Sequence, residues 1–233
     1  MNRFMEKVIK PILVKYEPAH IVEIGVYLSG RTTIKLLEFC KMMNSKLTVI
    51  DPAPGFDTNA YKAVFSDEVD IHRKHSLEVL PEIQAAHLYV IDGDHNWYTV
   101  YHELMAIEQS AIRKGTFPIV ILHDTEWPYG RRDSYYFPEA IPAQYQHRYA
   151  KKGILAESNE LVESGGINAD QCNAWNEYGD KNGVLTAIED FLKVTSFPIT
   201  FHRLYTNNGL GILFPSDEKM ETVISYIIDS SGL

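Results

Sequence analysis

The sequence predicts an α/β protein. A mostly parallel seven-stranded sheet carries helices on both faces, ends in a C-terminal antiparallel hairpin and is interrupted by an irregular insertion after the fifth strand. Three observations predict this. Up to residue 124, short β-branched apolar runs alternate with amphipathic helical stretches, the pattern of parallel strands joined by crossover helices. From 125 to 182 that periodicity gives way to aromatic, Pro, Gly and polar residues, as in a lid or binding insertion. Regular structure then resumes as two β runs around Asn207-Asn208-Gly209, a hairpin signal.

Taken in order, Met1–Tyr16 reads as an amphipathic helix cut by Pro11, and His20–Val26 as the first strand. Thr32–Met43 is a helix with apolar Ile34, Leu36, Leu37 and Phe39. Leu47–Ile50 is the second strand, stopped by Asp51-Pro52. Asn59–Phe65 is a short helix, Asp70–His75 the third strand and Leu77–Ala86 a further helix. His87–Ile91, the fourth strand, runs into Asp92-Gly93-Asp94-His95, and Trp97–Lys114 follows as a helix. Phe117–Leu122 is the fifth strand and ends in His123-Asp124. Beyond the insertion, Gly183–Val194 is a helix, Pro198–Leu204 and Gly209–Phe214 are the hairpin strands, and Glu218–Ile228 is the last helix.

The 31 acidic residues outnumber the 22 basic ones for a net charge of −9, which argues against nucleic acid as a partner. Cys40 and Cys172 suit neither a zinc site nor a disulfide framework, and Cys40, beside Leu36, Leu37 and Phe39, reads as a buried thiol. No apolar run matches a bilayer span, and Met1–Tyr16 lacks the marks of a signal peptide. The chain therefore reads as cytoplasmic, with no membrane partner; a homo-oligomer is left open.

The residues suited to chemistry fall at the ends of the expected strands. In Glu23-Ile24-Gly25-Val26-Tyr27-Leu28-Ser29-Gly30, Gly25 permits a tight turn and close approach of a ligand, and Gly30 precedes a helix whose free N–H groups can face it. Gly25→Val is accordingly expected to block the ligand without unfolding the chain. Asp51 suits ribose hydroxyls, and equally a turn. Ser76 lies where an adenine edge would, and also suits a helix N-cap. Asp92, Asp94 and His95 follow one strand, and His123 and Asp124 the next. Together they can hold a divalent cation or deprotonate an acceptor; Asp94 can also cap the following helix. In the insertion, Trp127, Tyr129, Arg131 and Arg132 combine rings with guanidinium groups, which suits a planar or anionic small molecule or a loop packing its own aromatics.

These residues together resemble the class I S-adenosylmethionine-dependent methyltransferases. The carriers are Val22-Glu23-Ile24-Gly25-Val26 with Gly30, Val49-Ile50-Asp51, Val90-Ile91-Asp92-Gly93-Asp94-His95 and the terminal hairpin. Asp92 to Asp124, ending Ile121-Leu122-His123-Asp124-Thr125, looks most like the small-molecule branch labelled methyltransferase family 24. The resemblance spans about 20–124 and 183–215. It implies a Rossmann-like sheet, S-adenosylmethionine as cofactor and a small-molecule methyl acceptor, methylated at oxygen by in-line transfer. Glu23, Gly25 and Gly30 would face the methionine part, Asp51 the ribose, Ser76 the adenine, and Asp92 would also lie against the cofactor. His95 and His123, with Asp124, would serve as base. Trp127, Tyr129, Arg131 and Arg132 would meet the acceptor. A divalent cation such as Mg²⁺ is implied at Asp92, His123 and Asp124, where His123 departs from the oxygen ligand that a hard cation prefers.

The chain divides accordingly into an N-terminal helix (1–19), a cofactor-binding core (20–124), a substrate-binding insertion (125–182) and a C-terminal part completing the core (183–233). Two other functions remain open: a metal-dependent hydrolase using Asp92, Asp94, His123 and Asp124, and a non-catalytic S-adenosylmethionine-binding module.

Overall fold

The computed structural model describes residues 1–26 and 30–233. The chain opens with a helical stretch of changing pitch, a 3₁₀ turn Asn2–Phe4, a π-helix Met5–Ile9 and α1 (Lys10–Tyr16). Pro11 does not cut it. It stands in the first turn of α1, where a missing N–H is tolerated, and the wider π turn before it lets the Lys10 N–H reach the Met5 carbonyl. Then follow β1 (His20–Ile24), α2 (Arg31–Met43), β2 (Lys46–Ile50), α3 (Thr58–Val64), β3 (Val69–His72) and α4 (Ser76–Val79). The expected helix 77–86 shrinks to α4 because Pro81 cannot continue it. Next come β4 (Leu88–Ile91), α5 (Trp97–Lys114) and β5 (Ile119–His123).

The insertion is more ordered than its composition suggests. It holds three short strands, β6 (Ser134–Tyr135), β7 (Tyr149–Lys151) and β8 (Cys172–Ala174), which pair antiparallel with β8 in the middle. The strands are too short to register as a period of two in the sequence. After it come α6 (Val184–Val194), β9 (Ile199–Leu204), β10 (Leu210–Pro215) and α7 (Glu218–Ser231).

The main sheet has seven strands in the order β3-β2-β1-β4-β5-β10-β9. β1 to β5 are parallel, and β10 is antiparallel to both β5 and β9. Its central strands are buried on both sides and alternate between two apolar layers. On one face Ile21, Val49, Val90 and Ile121 meet Phe4, Ile9, Leu36, Cys40 and Ile224, so the N-terminal segment is part of the core. On the other, Val22, Ile24, Ile91 and Leu122 meet Leu104, Ile107, Ile188 and Phe191 of α5 and α6. Burial of Cys40 pushes its thiol up to about 12. No helix among the described residues is long and apolar enough to cross a membrane.

Arg132 and Asp133 tie the insertion down. Arg132 is fully enclosed, and its guanidinium donates to the carbonyls of Ala174, Trp175 and Asn159. The neighbouring Asp133 accepts from the N–H groups of Trp97 and Gly183 and from the Tyr135 hydroxyl. Arg132→Met leaves buried carbonyls unpaired and should cost about 3 kcal/mol of unfolding free energy in urea titrations. Arg131→Met, which breaks a half-exposed pair, should cost less than about 1 kcal/mol.

Candidate active site at the strand ends

The strand order reverses at β1, which lies between β2 and β4, and a crevice opens outside the C-terminal ends of such strands. The turn after β1 is drawn against the turn after β4. Gly25 has φ +77°, and a Cβ on it would fall 2.2 Å from the Gly93 Cα. This corrects the expectation for Gly25→Val: the glycine first makes room for the Gly93 backbone, so a larger residue would disturb the fold itself. Glu23 is buried with one carboxylate oxygen unpartnered among the described residues, and burial pushes its carboxyl up to about 8. Asp51 accepts from the N–H groups of Val26 (2.8 Å) and Ala53 (2.7 Å), fixing the start of the loop after β1. Gly30 is the N-cap of α2, at φ +58°, with Phe56 and Tyr61 against it. Tyr27, Leu28 and Ser29 of the motif lie outside the described residues.

Ser76 is buried, and its hydroxyl donates to Glu103 of α5; His75, one residue earlier, is the N-cap of α4. Asp94 also turns aside. Its oxygens accept from the Thr99 hydroxyl and the Tyr136 N–H, while Asn96 caps α5.

The remaining four residues converge. His123 Nδ1 lies 2.8 Å from Asp124 Oδ2 and 3.1 Å from Asp92 Oδ1. His95 Nε2 lies 3.0 Å from the same Asp124 oxygen and 3.8 Å from the same Asp92 oxygen. Strand pairing of β4 with β5 sets Ile91 opposite Leu122, so that Asp92 and His123 follow at neighbouring strand ends, and Asp124 takes a left-handed φ of +58° as the chain leaves β5. The first residue's ammonium group lies 3.3 Å from the other Asp92 oxygen. Burial alone would raise both carboxyls and lower both imidazoles, but the mutual charges and hydrogen bonds outweigh it. Asp92 and Asp124 are held below the usual carboxylate range, His123 is raised to about 9 and His95 is raised well above its ordinary value.

The acceptor contacts expected from the insertion are redistributed. Arg132 is a correction: it serves carbonyls inside the insertion and has no surface to offer a ligand. Arg131 holds Glu189 through two hydrogen bonds and Thr186 through a third. Tyr129 is buried, stacks on His95 with ring centroids 5.2 Å apart and donates its hydroxyl to Asn173. Trp127 is exposed and lines, with Arg131 and Arg203, a cleft of about 550 Å³ that begins at Thr125, next to Asp124. Tyr136, which closes the aromatic run 126–136 but was not among the four expected acceptor contacts, is half-exposed with its ring 5.6 Å from His95. The chain turns Tyr135 inward at the end of β6 and the next residue outward.

Asp92, His95 and Asp124 each present a ligand atom within 4.8 Å of the others, close enough to share a cation. The donor set does not fit Mg²⁺. That ion takes oxygen ligands in octahedral geometry, whereas this cluster offers imidazole nitrogen beside its carboxylates.

Beneath the cluster, Glu103 is enclosed, and burial pushes its carboxyl up to about 8. Between about 4.5 and 8 the folded chain keeps a proton there that the unfolded chain releases, so stability falls as pH rises through this window. Glu103→Gln removes that fall. Thermal unfolding should show the variant close to wild type at acidic pH and about 1–3 kcal/mol more stable above pH 8.

Residues 22–125, somewhat under half of the chain, match the family model described as a methyltransferase domain, of methyltransferase family 24. No curated protein matches in sequence. Among solved structures, the chain resembles S-adenosylhomocysteine-bound methyltransferase PaMTH1 of Podospora anserina (12% identity, 88% of this chain and 75% of that one, TM-score 0.52). It also resembles cofactor-bound Rv0187 from MTB (15% identity, 92% and 81%, TM-score 0.52). At such identities the likeness is one of fold. The chain thus has the class I methyltransferase fold, and its residues 22–125 match the model of methyltransferase family 24.

Proposed function

We propose that the protein is an S-adenosylmethionine-dependent methyltransferase that methylates an oxygen of a small molecule. The observation that carries this is the gathering, along one edge of a class I sheet, of Glu23 and Gly25 after β1, Asp51 after β2, Asp92 and His95 after β4, and His123 and Asp124 after β5. The oxygen of buried Glu23 that has no partner among the described residues suits the cofactor's ammonium or hydroxyl groups, and Asp51, at the end of β2, would hold the ribose. When bound, S-adenosylmethionine supplies a methyl group on a cationic sulfonium.

The residues would then bind, orient and move a proton. Both imidazoles favour the protonated form in this cluster, and a cation placed beside them disfavours it by like-charge repulsion. His95 or His123 would thereby become able to take the proton of an acceptor hydroxyl, with Asp124 and Asp92 holding the rings in place. Trp127, Tyr136 and the stacked Tyr129 would bound the acceptor side, and the insertion would limit access of water. The reading of 20–124 as cofactor-binding core and 125–182 as acceptor-side insertion follows the same logic.

S-adenosylmethionine and S-adenosylhomocysteine should each raise the thermal unfolding midpoint. Asp51→Ala should weaken both by about tenfold or more while unfolding cooperatively. Absence of stabilisation by either compound at millimolar concentration would remove the proposal.

A further inference from the structure

We infer that the cleft of about 550 Å³ lined by Trp127, Tyr178, Glu157 and Glu177 is a binding site for a small molecule that carries a cationic amine beside a flat apolar group. Its volume is that of a small-ligand pocket. The loop 125–131 meets the strand-end cluster through Tyr129, which stacks on His95, and meets the cleft through Trp127, Gly130 and Arg131. The lips of the cleft are tied by backbone hydrogen bonds. The Gly130 N–H donates to the Glu126 carbonyl, the Tyr178 N–H to the Arg131 carbonyl and the Glu177 N–H to the Asn159 carbonyl. The cleft is thus formed before a ligand arrives, which lowers the ordering cost of binding.

Charge selects the sign of the ligand. Arg131 and Arg203 also line the cleft, but each guanidinium is already neutralised. Arg131 donates to both carboxylate oxygens of Glu189, at 2.7 and 2.6 Å, and Arg203 donates through Nε (3.1 Å) and Nη2 to Glu126. Neither is left for an anion. Glu157, by contrast, is exposed and joins no ion pair among the described residues. Glu177 is half-buried, 3.7 Å from the Arg132 guanidinium, which donates instead to the Asn159 carbonyl at 2.9 Å. Burial raises the Glu177 carboxyl, and a cation in the cleft would offset that cost. The stretch 153–180, which supplies this lip, contains Glu157, Glu160, Glu163, Asp170, Glu177 and Asp180 and no Lys or Arg.

The remaining lining fits the same ligand. Trp127 and Tyr178 present 38% and 65% of their surface, so two large rings stand open beside the acids. An ammonium group is attracted both by ring faces and by carboxylates, and the rings also accept the ligand's apolar part. Thr125 lines the cleft where it begins. Its side chain is fully enclosed, and its hydroxyl oxygen has no hydrogen-bond partner among the described residues. An enclosed hydroxyl without a partner is a cost that a ligand N–H relieves. The guanidinium pair that made an anionic ligand plausible in the sequence is therefore turned to other work, and the cleft favours the opposite charge.

The test is titration of the full chain with phenethylamine, followed by the indole N–H signals of its three tryptophans in proton–nitrogen NMR. Trp127→Phe identifies the Trp127 signal. The expected result is a saturable shift of that signal, with a dissociation constant of about 1 mM or below. Phenylethanol and phenylpropionate, similar in shape but neutral and anionic, should bind about fivefold or more weakly. Glu157→Gln and Glu177→Gln should each weaken phenethylamine by about threefold or more and leave phenylethanol unchanged. Glu163→Gln, which alters an acid paired with Lys152 and outside the cleft lining, should change neither. No saturable shift at tens of millimolar phenethylamine, phenylpropionate binding as tightly as phenethylamine, or unchanged affinity in the folded glutamine variants would each overturn the inference. Should Glu177→Gln unfold, the order of the three probes and the exposed Glu157→Gln decide. No methyl donor is present in these titrations, so this site and the proposed function fail separately.

Discussion

Asp133 accepts the first N–H of α5 from Trp97, the N–H of Gly183 just ahead of α6 and the hydroxyl of Tyr135, all inside the protein. A single carboxylate thereby satisfies donors at the start of both helices that cover one face of the sheet. Burial raises its carboxyl to about 6, and the three donors work against that rise. The residue beside it, Arg132, closes the insertion on itself through backbone carbonyls. The position of the strand-end cluster depends on this joint, because α5 begins two residues after His95 and the insertion begins immediately after Asp124. If the joint failed, Tyr129 and Tyr136 would no longer meet His95.

The cluster collects charges that a protein interior otherwise resists. His95 and His123 hold the Asp92 and Asp124 carboxyls low, with the first residue's ammonium also acting on Asp92, and the acids in turn hold both imidazoles high. Such mutual dependence makes each member costly to remove singly. Glu23 and Glu103, nearby but with no cation hydrogen-bonded to them among the described residues, respond to burial in the opposite way, their carboxyls pushed up to about 8. The site edge thus contains both ionised and neutral carboxyls within one small region.

The parts legible in the sequence were those governed by local pattern. The alternation of β runs and amphipathic helices located every strand of the main sheet, and Asp51, Asp92, His123 and Asp124 were recognisable as strand-end residues. The insertion was not legible in the same way, since its strands have two or three residues and its interior is polar. A sequence of Arg, Asn, Asp and Tyr looks alike whether it binds a ligand or its own backbone. Arg131 and Arg132 illustrate this: adjacent and chemically identical, one holds Glu189 at the surface and the other is enclosed among carbonyls.

The sequence by itself determined the class of fold, the order of its elements and the presence of acid and imidazole groups at two neighbouring strand ends, because periodicity and chain order are local properties. Only the tertiary structure decided which of those groups meet. It turned Asp94 toward Thr99 and Ser76 toward Glu103, and it brought His95 to Asp124. It also assigned Gly25 to the backbone of Gly93. These choices rest on distances between residues far apart in the chain, set by strand register and by the Asp133 joint, and no local pattern encodes them.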